Sequence, residues 1–149
     1  MVEKKLSGAG LRGQSAGETS LCTVGKTGAG LTYRGHDITT LAEKAQFEEV
    51  AFLLLYGKLP TREQLDKYKS KLKGLRELPE ALKATLELIP KSAHPMDVLR
   101  TGCSMLGNLE TEKEFSEQSD KIDRILAVMP SVINYWYKFS HEGVRIETS

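Results

Sequence analysis

Two cysteines stand in the 149 residues, Cys22 and Cys103, and neither has a cysteine or histidine near it at metal-ligand spacing. That pattern excludes a zinc module, and with nothing pointing to an oxidising compartment both are read as free thiols. No apolar run approaches the roughly 18 residues a membrane span needs, and the opening MVEKKLSGAG is too polar for the apolar region of a secretory signal. Neither charge sign is in excess: 21 Lys plus Arg face 20 Asp plus Glu, a formal net charge of +1. No global field therefore draws the chain to nucleic acid or acidic lipid, and partners have to be argued from local sites. The expectation is a cytoplasmic protein with neither a nucleic-acid nor a membrane partner.

Phosphate-binding loops fail on context. Gly8, Gly10 and Gly13 match the spacing of a dinucleotide fingerprint, but no strand precedes them and no acidic residue closes a βαβ unit. Gly25-Lys26-Thr27 resembles the end of a P-loop, yet Ser20 stands where its first glycine belongs and no helical pattern follows Thr27. The glycines over 1–18 read as an irregular arm. TSLCTV, GKTGAG and LTYRG then alternate strand and turn chemistry, which predicts a small hairpin over 19–34.

From Asp37 the apolar period changes from two to 3.6, and helices are expected between 37 and 141. Asp37 is a cap for a short helix carrying Ile38 and Leu41. Phe47, Val50, Ala51 and Leu54 form a second helix that ends at Gly57. Thr61 with Gln64 reads as a capping box, after which Leu65, Tyr68, Leu72 and Leu75 make one stripe. Lys67, Lys69, Lys71 and Lys73 flank that stripe, as a solvated face or as a cradle for an anion. Pro79 opens a helix that Pro90 ends.

The segment 92–107, SAHPMDVLRTGCSMLG, is apolar round most of its girth: Met96, Leu99, Cys103 and Leu106 form one stripe, extended by Val98, Gly102 and Met105. It is expected to be the central buried helix, with Gly102 and Gly107 letting neighbouring backbones approach. His94, Asp97 and Arg100 either line a site or serve as a cap and an i, i+3 ion pair, the commoner arrangement. Residues 108–119 read as an acidic surface loop. Ile122, Ile125, Leu126, Met129, Ile133 and Trp136 then predict a long helix that Pro130 kinks without ending it. Tyr135, Trp136, Tyr137 and Phe139 are too closely spaced to face one core, so part of the cluster is expected to meet another chain or another part of the protein. No helix cap is expected after it.

TVGKTGAGLTYRGHDI, FEEVAFLLLYGKLPTREQL, YKSKLKGLRELP, HPMDVLRTGCSMLG and NYWYKFSHEGVRI, in this order, resemble the N-terminal part of the citrate synthase superfamily, most closely its bacterial 2-methylcitrate synthases. The resemblance runs from about Leu6 onward and covers less than half of a family member. His36 stands where relatives usually carry Tyr. The resemblance implies a mainly α, citrate synthase-like large-domain helical bundle over 19–149 behind a short N-terminal β-hairpin, working as a homodimer. It implies condensation of propionyl-CoA with oxaloacetate to 2-methylcitrate, with acyl-CoA as substrate and neither a metal nor a bound redox cofactor. The family's two catalytic histidines and aspartate lie beyond this chain, so no catalytic residue is assigned here and residues 1–149 alone are expected to be inactive. Lys71 and Lys73 are the substrate-binding candidates, on a helix that in relatives offers a basic group to an anionic substrate. The alternatives are a citrate synthase using acetyl-CoA and a non-catalytic helical interaction module.

Overall fold

The computed structural model describes residues 17–25 and 30–148. The glycines at 8, 10 and 13, and Lys26 and Thr27, lie outside the described residues. The chain divides between Leu59 and Pro60 into two compact units, at the Leu-Pro step that stops a helix from continuing.

In the first unit β1 (Cys22–Val24) pairs antiparallel with β2 (Leu31–Tyr33) in the register Cys22↔Tyr33, Val24↔Leu31. This is the expected hairpin. A third strand, β3 (His36–Asp37), extends it, pairing Tyr33 with His36 and Thr32 with Asp37. Arg34 and Gly35 join β2 to β3 with φ of 47° and 85°. Positive φ at both central residues belongs to the two-residue hairpin turn whose twist matches the strands. The Arg34 guanidinium secures this turn by donating to the Ser20 hydroxyl and to the Leu54 carbonyl.

Asp37 ends the sheet and starts α1 (Ile38–Lys44) by accepting from the Thr40 amide at 3.1 Å. Glu49 reaches back to the Gln46 amide at 2.7 Å to open α2 (Phe47–Tyr56), and Gly57 closes it in the left-handed region at φ 81°.

The second unit is helical. Thr61 and Gln64 form the expected reciprocal cap of α3 (Arg62–Gly74), which buries Leu65, Tyr68 and Leu72. Helix α4 (Glu80–Glu87) buries Leu82 and Leu86. Helix α5 (Pro95–Leu109) begins with Pro95 at its first position, and the His94 imidazole accepts from the Met96 amide at 3.2 Å. After a single 3-10 turn at Phe115–Glu117, α6 runs from Gln118 to Tyr137 without ending at Pro130, as expected of a helix whose apolar pattern resumes beyond it. A π-helical turn, Lys138–Glu142, follows.

One core joins α4, α5 and α6: Leu78, Leu82, Leu86, Val98, Leu106, Val128, Val132, Tyr135 and Trp136. Gly102 lies where α5 meets α6, and a β-carbon built on it would stand 2.7 Å from Val132 Cγ1. The glycine is therefore a requirement of the crossing.

Several expectations are corrected. Helix α5 is not buried round its girth. Its covered stripe is Val98, Gly102 and Leu106, while Met96, Cys103 and Gly107 are exposed and nothing approaches Gly107. Helix α6 turns Val128, Val132, Tyr135 and Trp136 inward, and leaves Ile122 and Ile125 each 39% exposed. Where the two axes come close the covered side chains are small, Gly102 on α5 and Val132 on α6, while α6 buries the larger Tyr135 and Trp136 further along. Of the aromatic cluster, Tyr135 and Trp136 enter this chain's own core and only Tyr137 is exposed. A cap does follow: Gly143, at φ 69°, donates to the Phe139 carbonyl.

Candidate functional site

Lys71 and Lys73 sit two residues apart in the last turns of α3 and point to different surroundings. Leu65, Tyr68 and Leu72 fix the rotation of α3, which sets Lys71 beside α6. Its ammonium donates to Asp120 at 2.7 Å and to Asp123 at 2.8 Å. Asp123 is fully buried and also accepts from the Tyr68 hydroxyl at 2.9 Å. A buried carboxylate needs such partners, since leaving one uncompensated costs several kcal/mol. The hydrogen bond it donates to Asp120, then that to Asp123, raises the Lys71 pKa well above the ordinary lysine value. Lys71 is therefore always charged, but two carboxylates balance that charge.

Lys73 is exposed and lines a cleft of about 400 Å³ with Ser70, Gly74 and Glu77. Lys71 is not among the residues lining that cleft, so the structure does not gather the two lysines into one anion cradle. Lys67 is paired with Glu63 at 2.7 Å.

The histidines stand on separate elements. His36 lies on β3 in the first unit, and His94 caps α5. The ring of His141 stacks on Tyr137 with centroids 4.3 Å apart, its Nδ1 2.8 Å from the Ser140 hydroxyl. Asp97 and Arg100 form the i, i+3 ion pair at 3.0 Å. Among the described residues no group of three or more His, Cys, Asp or Glu is placed to hold a metal ion. Both cysteines are free thiols. No helix among the described residues is long and apolar enough to cross a membrane.

The apolar surface is more organised. A cleft of about 320 Å³ between α5 and α6 is lined by Cys103, Leu106, Gly107 and Ile125, with Glu110 and Arg124 at its polar end. Arg124 donates to both Glu110 oxygens, and its Nη1 to the carbonyls of Leu75 and Glu77. This ties the ends of α3, α4 and α5 to α6. The guanidinium holds the Glu110 carboxyl below the usual carboxylate range. Sequence reasoning missed Asp123, Glu110 and Arg124, whose partners lie 14 to 55 residues away along the chain.

Among the described residues of the second unit these features make a helical scaffold with an open apolar face. Comparisons with known proteins match it to part of the length of longer ones. The family model described as "Citrate synthase, C-terminal domain" matches residues 10–149. The chain is 70% identical over 145 residues to the 2-methylcitrate synthase of Shewanella oneidensis, covering 97% of this chain and 39% of that protein. It is 43% identical to a citrate synthase-related protein of Dictyostelium discoideum, over 88% of this chain and 31% of that one. The crystal structure of citrate synthase from Thermotoga maritima superposes with a TM-score of 0.78 at 34% identity, covering 98% of this chain and 37% of the other. The chain thus spans between about three and four tenths of the length of these relatives.

Proposed function

The chain belongs to the citrate synthase family, and on that premise we propose that it is the N-terminal part of a 2-methylcitrate synthase. This acyltransferase condenses propionyl-CoA with oxaloacetate and water to give 2-methylcitrate and CoA. The observation that carries the reading is the 70% identity to such an enzyme over nearly the whole chain.

The chemistry divides the labour. A base must take a weakly acidic α-proton from the thioester while donors stabilise the enolate, and a further group must polarise the keto acid. On this reading His36, His94 and His141, which stand on separate elements, are not that constellation, and the reacting groups are assigned to the portion that the longer relatives carry. Residues 60–148 contribute a rigid wall, with Arg124 tying its helix ends together. The condensation is acid–base chemistry on an acyl-CoA substrate and calls for neither a metal nor a redox cofactor. Of the two candidate lysines, exposed Lys73 is the better placed to meet an anionic substrate, since the charge of Lys71 is already balanced.

The working form is a homodimer in the cytoplasm. What supports the dimer is the outer face of α5 and α6, where Met96, Cys103, Gly107, Ile122 and Ile125 present apolar surface round an apolar cleft. A second copy meeting this face through the same face would cover it symmetrically.

Substrate choice is tested by the ratio of kcat/KM for propionyl-CoA to that for acetyl-CoA, measured on the chain extended through the missing portion. A ratio above one supports the proposal. A ratio below one would replace it with a citrate synthase.

A further inference from the structure

After Gly143 the chain leaves the π-helical turn and runs back across α4 without joining any sheet or helix. Three fixings hold it. At its start, Gly143 and Val144 donate to the carbonyls of Phe139 and Lys138. In its middle, the Arg145 guanidinium lies over the Phe139 ring, 5.7 Å from the centroid, and grips Glu87 of α4 with two parallel hydrogen bonds of 2.8 Å. At its end, the Thr148 hydroxyl accepts from the Leu78 amide at 3.0 Å, and Thr148 is 8% exposed. Ile146, between the last two points, packs on the core.

Glu87 is the junction. One of its oxygens also accepts from the buried Tyr135 hydroxyl at 2.7 Å, so a single carboxylate joins α4, α6 and the returning segment. A two-pronged guanidinium–carboxylate pair fixes direction as well as distance, and Tyr135, buried in the core, cannot follow Glu87 if it moves. A segment with no backbone ladder takes its position beyond Val144 from side chains, and here Arg145, Ile146 and Thr148 each have a partner.

We propose that residues 143–148 are a clasp, closed by Arg145 on Glu87, that fixes where the polypeptide leaves this scaffold for the catalytic remainder of the enzyme. The clasp rests on the functional reading above only in its last clause. Arg145 is a positioning residue, acting through the path of the chain and not through substrate.

The test has two arms. In the first, trypsin is applied to residues 1–149 under native conditions, and cleavage after Arg145 is compared with cleavage after Arg124, which reports general opening. Native-state proteolysis tracks the population of the open form. Glu87→Ala is expected to speed cleavage at Arg145 relative to Arg124 by about threefold, the loss of one charged pair whose guanidinium is exposed. Tyr135→Phe, which leaves the guanidinium pair in place, is expected to remain near wild type. Equal acceleration at both sites, or none at Arg145, would overturn the clasp.

In the second arm the extended enzyme carries Arg145→Ala. A fall in kcat of about tenfold or more is expected, since misplacement by an ångström at a distance has that effect, with KM for both substrates nearly unchanged and partial recovery in Arg145→Lys. A wild-type kcat would overturn the positioning role. If the extended wild-type chain releases no CoA, the functional proposal fails and the cleavage ratio still decides the clasp.

Discussion

Replacing Gly102 by alanine sets two effects of known size against each other. Alanine in a helix interior is favoured over glycine by about 1 kcal/mol, so helix propensity alone makes the variant more stable. Against this, the new β-carbon would lie 2.7 Å from Val132 Cγ1, well inside van der Waals contact. Val132 is fully buried, and a β-branched side chain in a helix has one strongly preferred rotamer, so the methyl has nowhere to turn. Helices α5 and α6 must therefore move apart, and overpacking of this kind costs about 2 kcal/mol. The net expectation is a loss of about 1 kcal/mol, a drop in Tm of several degrees for a domain of this size. Urea unfolding followed by Trp136 fluorescence measures it directly. Val132→Ala, destabilising by itself through the cavity it leaves, should relieve the clash, so the double variant is expected to lose at least about 1 kcal/mol less than the sum of the two. A stabilised Gly102→Ala, or an additive double variant, would refute the close crossing.

Three other perturbations follow from the polar contacts. Asp123→Ala leaves the Tyr68 hydroxyl and the Lys71 ammonium without their buried partner, and is expected to lower the unfolding free energy by about 3 kcal/mol, read from a urea titration. Burial and the neighbouring Glu87 push the Tyr135 phenol up to about 12. An unfolded tyrosine ionises near 10, so this stabilisation is complete below about pH 10 and lost as pH rises through about 12; the urea midpoint should fall more steeply over that window in wild type than in Tyr135→Phe. The Glu110 carboxyl, held low by Arg124, contributes stability that is present above the ordinary carboxylate range and lost as pH falls through its lowered pKa, so Glu110→Gln should show a shallower acid limb in the same titration.

How far the sequence discloses this structure depends on how local each determinant is. Asp37, the Thr61–Gln64 pair, Gly57, His94 and Pro95 set helix ends through neighbours within four residues, and all are legible. The helical course through Pro130 is legible too, because an apolar pattern continues on both sides. What periodicity conceals is which of two apolar stripes is covered. At the crossing of α5 and α6, Gly102 and Val132 permit a close approach, and Met96, Ile122 and Ile125 are left outside while Tyr135 and Trp136 go in. The third strand is missed because it holds two residues, although Arg34-Gly35 carries the glycine of a two-residue turn. Asp123 is unreadable as a buried acid, since its partners Tyr68 and Lys71 lie on another helix. As for the candidate site, Lys71 and Lys73 are two residues apart in sequence, yet Lys71 is paired by α6 and Lys73 is not, which no local pattern reveals.

The central claim is that this chain is one part of an enzyme whose reacting groups lie elsewhere. It is tested most directly by release of free CoA from propionyl-CoA in the presence of oxaloacetate, first with residues 1–149 and then with the chain extended through the portion its relatives carry. The account expects background release from the shorter chain and rapid release from the longer one. Because removing a single catalytic base already lowers a rate by about two to four orders of magnitude, turnover above background by residues 1–149 alone would contradict it.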